Sequence, residues 1–332
     1  MKDFFKKTLD FVKANKLNVV FLVFVILQTI LAGHFWLWTL LSFIPPLFYS
    51  CFFAILIVWN FIKNNYYGFL LLLLMTPFVF YNSDVNLKLT SNNNSSGSTK
   101  VKIFDWNTEF WEDNDKEGFY KFLKSQDADV YHLQEHLVLQ KDGTVVSRDD
   151  LDEIRNQFKD YKVIAKTEFV TITRLPVVES FEKSDSNFLR VDMQVKNNVV
   201  SFYNVHVPVQ IDPNLLNSPL DLLNDMKIRF DERETAYTKL QKDLELNKNE
   251  FIISGDFNST KAMGKIHPLL EYANDGISAS NILFPATWSV RASTLWRIDY
   301  ILTYKGLNIA SYNEISKPEY SDHKALVSEI EL

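Results

Sequence analysis

The chain has 332 residues and a net charge of −6, distributed unevenly. Residues 1–100 hold eight Lys and no Arg against three Asp and no Glu, a balance of +5 that leaves −11 for residues 101–332. An acidic C-terminal part argues against a long nucleic-acid partner, because neutralising phosphates with basic side chains supplies most non-specific duplex affinity. The single cysteine, Cys51, rules out an intrachain disulfide and a cysteine zinc site, and it leaves the compartment open.

Three apolar stretches precede residue 83. Residues 17–33 carry no charge over 17 positions, roughly 26 Å of helix and just enough to span a bilayer. Residues 35–62 are also uncharged, with Pro45-Pro46 inside, and read as a kinked or tilted span. Residues 66–81 are short, with tyrosines at both ends to suit the two interfaces. The expectation is a membrane anchor over 1–82 with three transmembrane helices; a cleaved signal peptide is the alternative for the first stretch. Lys2, Lys6, Lys7, Lys13 and Lys16 precede the first span and Lys63 lies between the second and third. The positive-inside rule then places the N-terminus in the cytoplasm and everything after residue 81 outside. A re-entrant Pro45-Pro46 segment would reverse that side. Residues 83–99, rich in Asn and Ser, read as a flexible linker.

From Lys100 the texture changes to short β-rich runs separated by polar segments: VKIFDW, DVYHLQ, YKVIAK, FVTITR, LRVDMQV, VVSFYNVHV, EFIISGDF, WRIDYILTY and ALVSEIEL. One helical pattern begins at 119–124. A second covers 229–246, with Ala236, Leu240 and Leu244 at four-residue steps. Many strands with few helices in one domain over 100–332 predict an α/β sandwich, two packed sheets with helices outside.

Polar residues gather where these runs end. Asn107 closes the first and Glu135 the second; Asn204 and His206 lie two apart, as do Asp256 and Asn258; Asp299 opens a run, and Asp322-His323 precede the last. Two-residue spacing puts both members of a pair on one face of a strand. Singly, such a residue is usually a turn former or a solvated terminus. Jointly, these carboxylates, amides and imidazoles suit a hard, oxygen-preferring cation such as Mg²⁺, with Mn²⁺ the alternative. His132, His136, His267 and His34 read instead as packing, surface or interfacial residues.

The blocks WN (106–107), LQE (133–135), TRLP (173–176), NVH (204–206), GDFN (255–258), RIDYI (297–301) and SDH (321–323) resemble the endonuclease/exonuclease/phosphatase superfamily across residues 100–332. The resemblance implies a four-layer α/β sandwich, two mainly antiparallel sheets flanked by helices, that hydrolyses phosphate esters with a divalent metal. It implies Glu135, Asn107 and Asp322 at the metal. His323 would be the general base, oriented by Asp299, with Asp256 competing for that role. Asn258 and His206 would donate to the transition state, Asn204 would contact substrate, and Arg174 would either contact a phosphate or sit in an exposed salt bridge. TRLP carries Thr173 where the family usually has Ser, which keeps the hydroxyl. The presence of His206 sets the chain apart from the abasic-site endonucleases. Residues 207–228 carry five leucines amid prolines and polar residues. They read either as a packed loop or as an apolar lip that meets a bilayer or lipid tail. The function expected is thus hydrolysis of a lipid-linked or small extracytoplasmic phosphoester. A surface nuclease is less favoured, a catalytically dead interaction module less still, and no protein partner is inferred.

Overall fold

The computed structural model describes residues 2–87, 99–111, 114–182, 186–212, 215–290 and 293–332. The linker expected at 83–99 falls mostly on 88–98, outside the described residues. The chain divides into two compact units, Met1–Val85 with Thr260–Lys265, and Asn86–Ser259 with Ile266–Leu332.

The first unit is helical: α1 (Lys2–Ala14), α2 (Lys16–Leu31), α3 (Thr39–Ser42), α4 (Pro46–Ile62) and α5 (Tyr66–Asn82). Helices α2, α4 and α5 close around Phe21, Val25, Phe53, Leu56, Leu72, Met75 and Val79. Their outer faces are also apolar, with Val20, Val23, Ile55, Val58, Leu70 and Leu74 exposed, while Asn18, Gln28 and Asn60 are buried. The bundle is thus apolar on its outer faces as well as in its core, with a few buried amides. Asn18 and Asn60 exchange amide hydrogen bonds of 2.9 and 3.0 Å across α2 and α4. At the far end of α2, Gln28 accepts from the Trp38 indole at 2.7 Å and donates to the Ala262 carbonyl.

The expected span at 35–62 is corrected in length, and the one at 17–33 shifts slightly. Helix α2 stops at Leu31, two residues before Gly33, whose φ of +76° no helix accommodates. The 35–62 stretch breaks at Pro45 (φ −53°, ψ 132°), and the segments on either side diverge by 64°. The three apolar helices have 16, 17 and 17 residues, about 24–26 Å each at 1.5 Å per residue. No single helix among the described residues is long and apolar enough to cross a membrane, although two bent pairs pass that test jointly.

The second unit runs β1 (Lys100–Asn107), α6 (Lys116–Ser125), β2 (Val130–Gln134), β3 (Leu137–Leu139), β4 (Val145–Ser147), α7 (Leu151–Gln157), β5 (Lys162–Lys166), β6 (Phe169–Thr173), β7 (Val177–Ser180), β8 (Phe188–Val195), β9 (Asn198–His206), α8 (Pro219–Leu246), β10 (Glu250–Asp256), α9 (His267–Tyr272), β11 (Ala273–Asp275), β12 (Trp288–Val290), β13 (Ser293–Trp296), β14 (Asp299–Tyr304), β15 (Asn308–Ile315) and β16 (Ala325–Glu331). Two six-stranded sheets form, in the orders β15-β16-β1-β2-β6-β5 and β11-β14-β10-β9-β8-β7. Each is antiparallel except for one central parallel pair, β1/β2 in the first and β9/β10 in the second.

Three apolar clusters make four layers. Phe119, Leu123 and Ile154 from α6 and α7 pack on Phe104, Trp106 and Tyr131 of the first sheet. Ala236, Tyr237 and Leu240 from α8 pack on Tyr203, Ile253 and Tyr300 of the second. Ile103, Val130, Phe202, Ile252 and Ile301 fill the space between the sheets. This is the α/β sandwich read from the sequence.

Close packing of β9 against β10 requires Gly255 (φ +147°), since a Cβ there would lie 1.9 Å from the Val205 carbonyl oxygen. Backbone cannot yield as a flexible side chain can. Gly255→Ala is therefore expected to cost about 1–3 kcal/mol in denaturant unfolding and to displace Asp256 with it.

Candidate active site

The inward faces of five strands change character in steps of two. Along β1 they read Val101, Ile103, Asp105, Asn107; along β9, Val200, Phe202, Asn204, His206; along β10, Ile252, Ser254, Asp256. Strand β2 adds Val130, His132 and Gln134, and antiparallel β14 descends from Asp299 through Ile301 to Thr303. The space between the sheets thus passes from apolar, through a buried polar layer, to an open end rich in ionisable groups. That end lies at the C-termini of both central parallel pairs. Register aligns it: His206 pairs with Asp256 across β9/β10, and Asp256 with Asp299 across β10/β14, a row of three on adjacent strands.

The buried polar layer ties the two sheets together, although Gln134 Oε1 and His132 Nε2 find no hydrogen-bond partner in it. Gln134 donates to Asp105 at 3.0 Å and to Asn204 at 2.7 Å, and Asn204 donates to the carbonyls of Leu133 and Val170. His132 Nδ1 meets Ser254 Oγ at 2.8 Å. Burial, reinforced by Asp299, pushes the Asp105 carboxyl well above its ordinary range.

Above this layer, Asp256 Oδ2 is a hub. It accepts from Asn107 Nδ2 and Asn258 Nδ2, both at 3.1 Å, and lies 3.7 Å from His206 Nε2 and 3.8 Å from His323 Nε2. Asp256 Oδ1 accepts the Asn258 backbone N–H at 2.7 Å. Each imidazole is held from behind by a carboxylate: His323 Nδ1 lies 3.0–3.1 Å from both Asp299 oxygens, and His206 Nδ1 lies 2.8 Å from Glu168. His206 Nε2 is buried without a hydrogen-bond partner and faces Glu135 at 3.8 Å and Asp256.

These contacts set the charges. Burial raises the Asp256 carboxyl and Asp299 adds to it, while His323 and His206 oppose; the balance is about 6. Burial would lower His323, but Asp299 and Asp256 outweigh it and raise the imidazole to about 10. His206 likewise rises to about 10, against burial, through Glu168 and Asp256. The shifts favour the protonated form of both imidazoles and hold the Asp256 carboxyl above its ordinary range.

A second carboxylate group adjoins it. Glu135 Oε1 accepts from Asn107 at 2.9 Å, Asp322 Oδ2 accepts from the Trp288 indole at 2.8 Å, and Glu109 Oε2 accepts the Asp322 backbone N–H at 2.9 Å. Glu109 is raised by burial, then by Asp322 and Glu135; Asp322 is raised by burial, with Glu135 and Asp299 contributing. Carboxylates crowded together and presented with an amide are a donor set that fits a hard divalent cation. The tightest potential ligand group among the described residues is different: Asp256, Asp299 and His323 offer ligand atoms within 4.8 Å of one another. There, however, His323 Nδ1 is committed to Asp299, and both Asp256 oxygens already accept N–H groups. Glu109 (φ 46°), Glu135 (φ 59°) and Asn258 (φ 46°) all adopt left-handed backbone, strain of the kind that collects at functional positions.

Of the residues expected from sequence, Asn107, Glu135, His206, Asp256, Asn258, Asp299, Asp322 and His323 come together. Arg174 does not join them: it pairs with Asp127 at 2.8 Å and Asp129 at 2.7 Å, leaning on Tyr161. Asn204 is fully buried and spends its amide bridging the two sheets. Asn258 directs Nδ2 at Val207 and Asp256.

Three participants had escaped the sequence reading. Glu109 stands two residues after Asn107, the same spacing that marks the 204/206 and 256/258 pairs. Arg233 lies on the apolar stripe of α8, seven residues before Leu240. It is buried there and donates to the carbonyls of Pro208 and Asn258 and to Ser259. A charge on a buried stripe was the available signal. Glu168 sits in the β5–β6 turn, and no local pattern distinguishes it from a solvated turn residue.

A four-layer sandwich whose open end combines a carboxylate–imidazole row with an acidic donor set is the architecture of a phosphoester hydrolase. An endonuclease/exonuclease/phosphatase family model matches residues 106–323, and the chain belongs to that family. It is a metal-dependent phosphoric ester hydrolase. Among solved structures it resembles a family protein from Leptotrichia buccalis (17% identity, TM-score 0.50), covering 70% of this chain and 100% of that one. It also resembles one from Bacteroides vulgatus (13%, TM-score 0.51, 70% and 99%). A third is the 3′ phosphatase NExo from Neisseria, bound to a product DNA hairpin (15%, TM-score 0.51, 70% and 100%). No curated protein matches the sequence.

Proposed function

We propose that the first unit anchors the chain in a membrane and that the second, outside the cytoplasm, hydrolyses a lipid-linked or small phosphate mono- or diester with Mg²⁺. The observation that carries the chemistry is the Asp256 hub. Its carboxylate, raised to about 6, is poised to take a proton from an attacking water at neutral pH. Two imidazolium Nε2 atoms at 3.7 and 3.8 Å donate to the phosphoryl oxygens, where preorganised donors count most. Asp299 and Glu168 fix the orientation and charge of those rings, and Asn258 holds Asp256. The base is then Asp256 rather than His323, because an imidazole already protonated at pH 7 has no lone pair to offer. Glu135, Asp322 and Asn107, with Glu109 beside them, would hold the metal. A divalent ion there supplies positive charge for the phosphoryl and leaving oxygens.

Anchorage is supported by the outward faces of α2, α4 and α5, which are apolar on all three helices. Helices of about 24–26 Å suit a hydrocarbon core of roughly 30 Å only with local thinning or interfacial flanks, adjustments that cost fractions of a kcal/mol per Å. The lysines and the uncharged 31–62 stretch support a cytoplasmic N-terminus. A lipid-linked substrate is supported by the segment after His206. Leu216 and Leu220 are 62% and 77% exposed, while Gln210 ties the segment to the Asn258 carbonyl at 2.8 Å.

The test is a substrate panel of lipid pyrophosphate, sphingomyelin, inositol phosphate, plasmid DNA and a soluble phosphodiester with Mg²⁺. Lipid phosphoesters are expected to be turned over best. Leu215→Ser with Leu216→Ser is expected to cut that activity severalfold and spare the soluble diester. Equal loss on both would remove the lip, and preference for plasmid DNA would make the chain a nuclease.

A further inference from the structure

Helix α1 stands apart from the bundle it leads into. Its described side chains divide cleanly by position. At 3.6 residues per turn, Phe11, Asn15, Val12 and Leu9 follow one another around one arc, and Lys13, Lys6, Asp10 and Lys7 around the other, with Leu9 beside Lys13 and Lys7 beside Phe11 at the two boundaries. Phe11 meets Tyr67 of α5 edge-on, with ring centroids 6.5 Å apart. Leu9 and Val12 are nevertheless 53% and 36% exposed, and among the described side chains Lys6, Lys7 and Lys13 are exposed too.

The direction of α1 is built in. Residues 6–14 run at 91° to α2, and neither Gly nor Pro makes the corner. Asn15 makes it: its Nδ2 donates back to the Phe11 carbonyl at 3.1 Å, and its Oδ1 accepts from Asn65 at 2.7 Å. Asn65 also donates to Asn60 at 2.8 Å, and Asn60 is locked to Asn18, so one amide cluster joins the ends of α2, α4 and α5 to the corner. Gly68 closes the cluster, since a Cβ there would lie 2.0 Å from Asn60 Oδ1. Exposed Lys16 and Lys63, Tyr66 and Tyr67 ring the same end, with Lys63 over the Trp59 ring at 5.1 Å.

We infer that α1 is an in-plane helix that lies on an anionic lipid surface, Leu9 and Val12 in the acyl boundary and Lys6, Lys7 and Lys13 among headgroup phosphates. A helix perpendicular to apolar helices, with its bundle side apolar and its far side basic, matches the water–hydrocarbon step of an interface and little else. The excess of lysine selects anionic over neutral headgroups, each basic residue near such a surface contributing about fivefold in partitioning. The inference rests on the reading of the first unit as a bilayer anchor.

The experiment uses the full chain in vesicles of phosphatidylcholine, with or without phosphatidylglycerol. Native Cys51, exposed on α4, carries a spin label in one sample. In a Cys51→Ser background, Leu9→Cys, Val12→Cys and Asp10→Cys carry it in others. Collision with oxygen and with a water-soluble nickel chelate reports depth. The expected result is lipid exposure at Cys51, intermediate depth at Leu9 and Val12, and water at Asp10. Lys6→Glu with Lys13→Glu should raise the water-exposed fraction at Leu9 more than tenfold with phosphatidylglycerol, and little without it. Labels at Leu9 and Val12 as wet as Asp10, with Cys51 in lipid, would overturn the in-plane helix alone. A wet Cys51 would overturn the anchor and the helix together.

Discussion

Asp256→Asn is expected to lower kcat/KM by about 10³–10⁴, the upper range for a lost general base, while metal affinity stays close to that of the parent. The amide cannot take the water's proton, yet it keeps the shape that Asn107 and Asn258 hold in place. The pH profile supplies the sharper check. Asp256 must be unprotonated to act, so the parent's kcat/KM should rise with pH up to about 6. His206 and His323 must be protonated to donate, so it should fall again as pH passes about 10. The variant should lose the acidic limb and keep the alkaline one. A profile that instead rises through 10 would make a neutral imidazole the base and return that role to His323.

Glu135→Gln should fail in a different way. The substitution removes a charge from the donor set and leaves the Asp256 hub standing. The dissociation constant for Mg²⁺ or Mn²⁺, read by titration calorimetry without substrate, should rise by more than the 10–100-fold typical of losing an outer-sphere partner. Activity should return in part at high metal concentration, which no amount of metal can do for Asp256→Asn. With Glu135 neutral, the Glu109 and Asp322 carboxyls also lose one of the neighbours that raise them. Unchanged metal affinity would instead move the ion toward Asp256, Asp299 and His323.

Much of this arrangement was legible in the sequence because strand periodicity and chemistry coincide. Asn107, His206 and Asp256 close the strands whose alternate residues fill the core, so the same two-residue step that marks Ile103, Phe202 and Ile252 as inward marks them too. What could not be read locally depends on partners far along the chain. Glu168 acquires its role only when β6 brings it to His206, 38 residues away. Arg174 looked like a phosphate contact by its neighbours in sequence; in space Asp127 and Asp129 already neutralise it. The family resemblance implied Asn204 at the substrate and Asn258 as a donor to the transition state. Hydrogen-bond satisfaction claims the first for the sheet interface and the second for Asp256. The edge strand β15 went unseen because NIASYNEI lacks a steady alternation, its register slipping between Ile309 and Ser311. Hydropathy located the apolar helices to within two residues at 17–33 and 66–81, while the Pro45-Pro46 interruption in 35–62 proved a helix boundary rather than a kink.

The division of the site between two sheets carries a mechanical consequence. Asn107 and Glu135 ride on or just beyond one central parallel pair, His206 and Asp256 on the other, and the two pairs are joined across the sandwich by side chains alone. A slip of one sheet over the other by a fraction of a strand step would leave every backbone ladder intact and still pull the proton-transfer group away from the acidic donor set. Turnover should therefore vanish, under rising pressure or denaturant, before any strand melts.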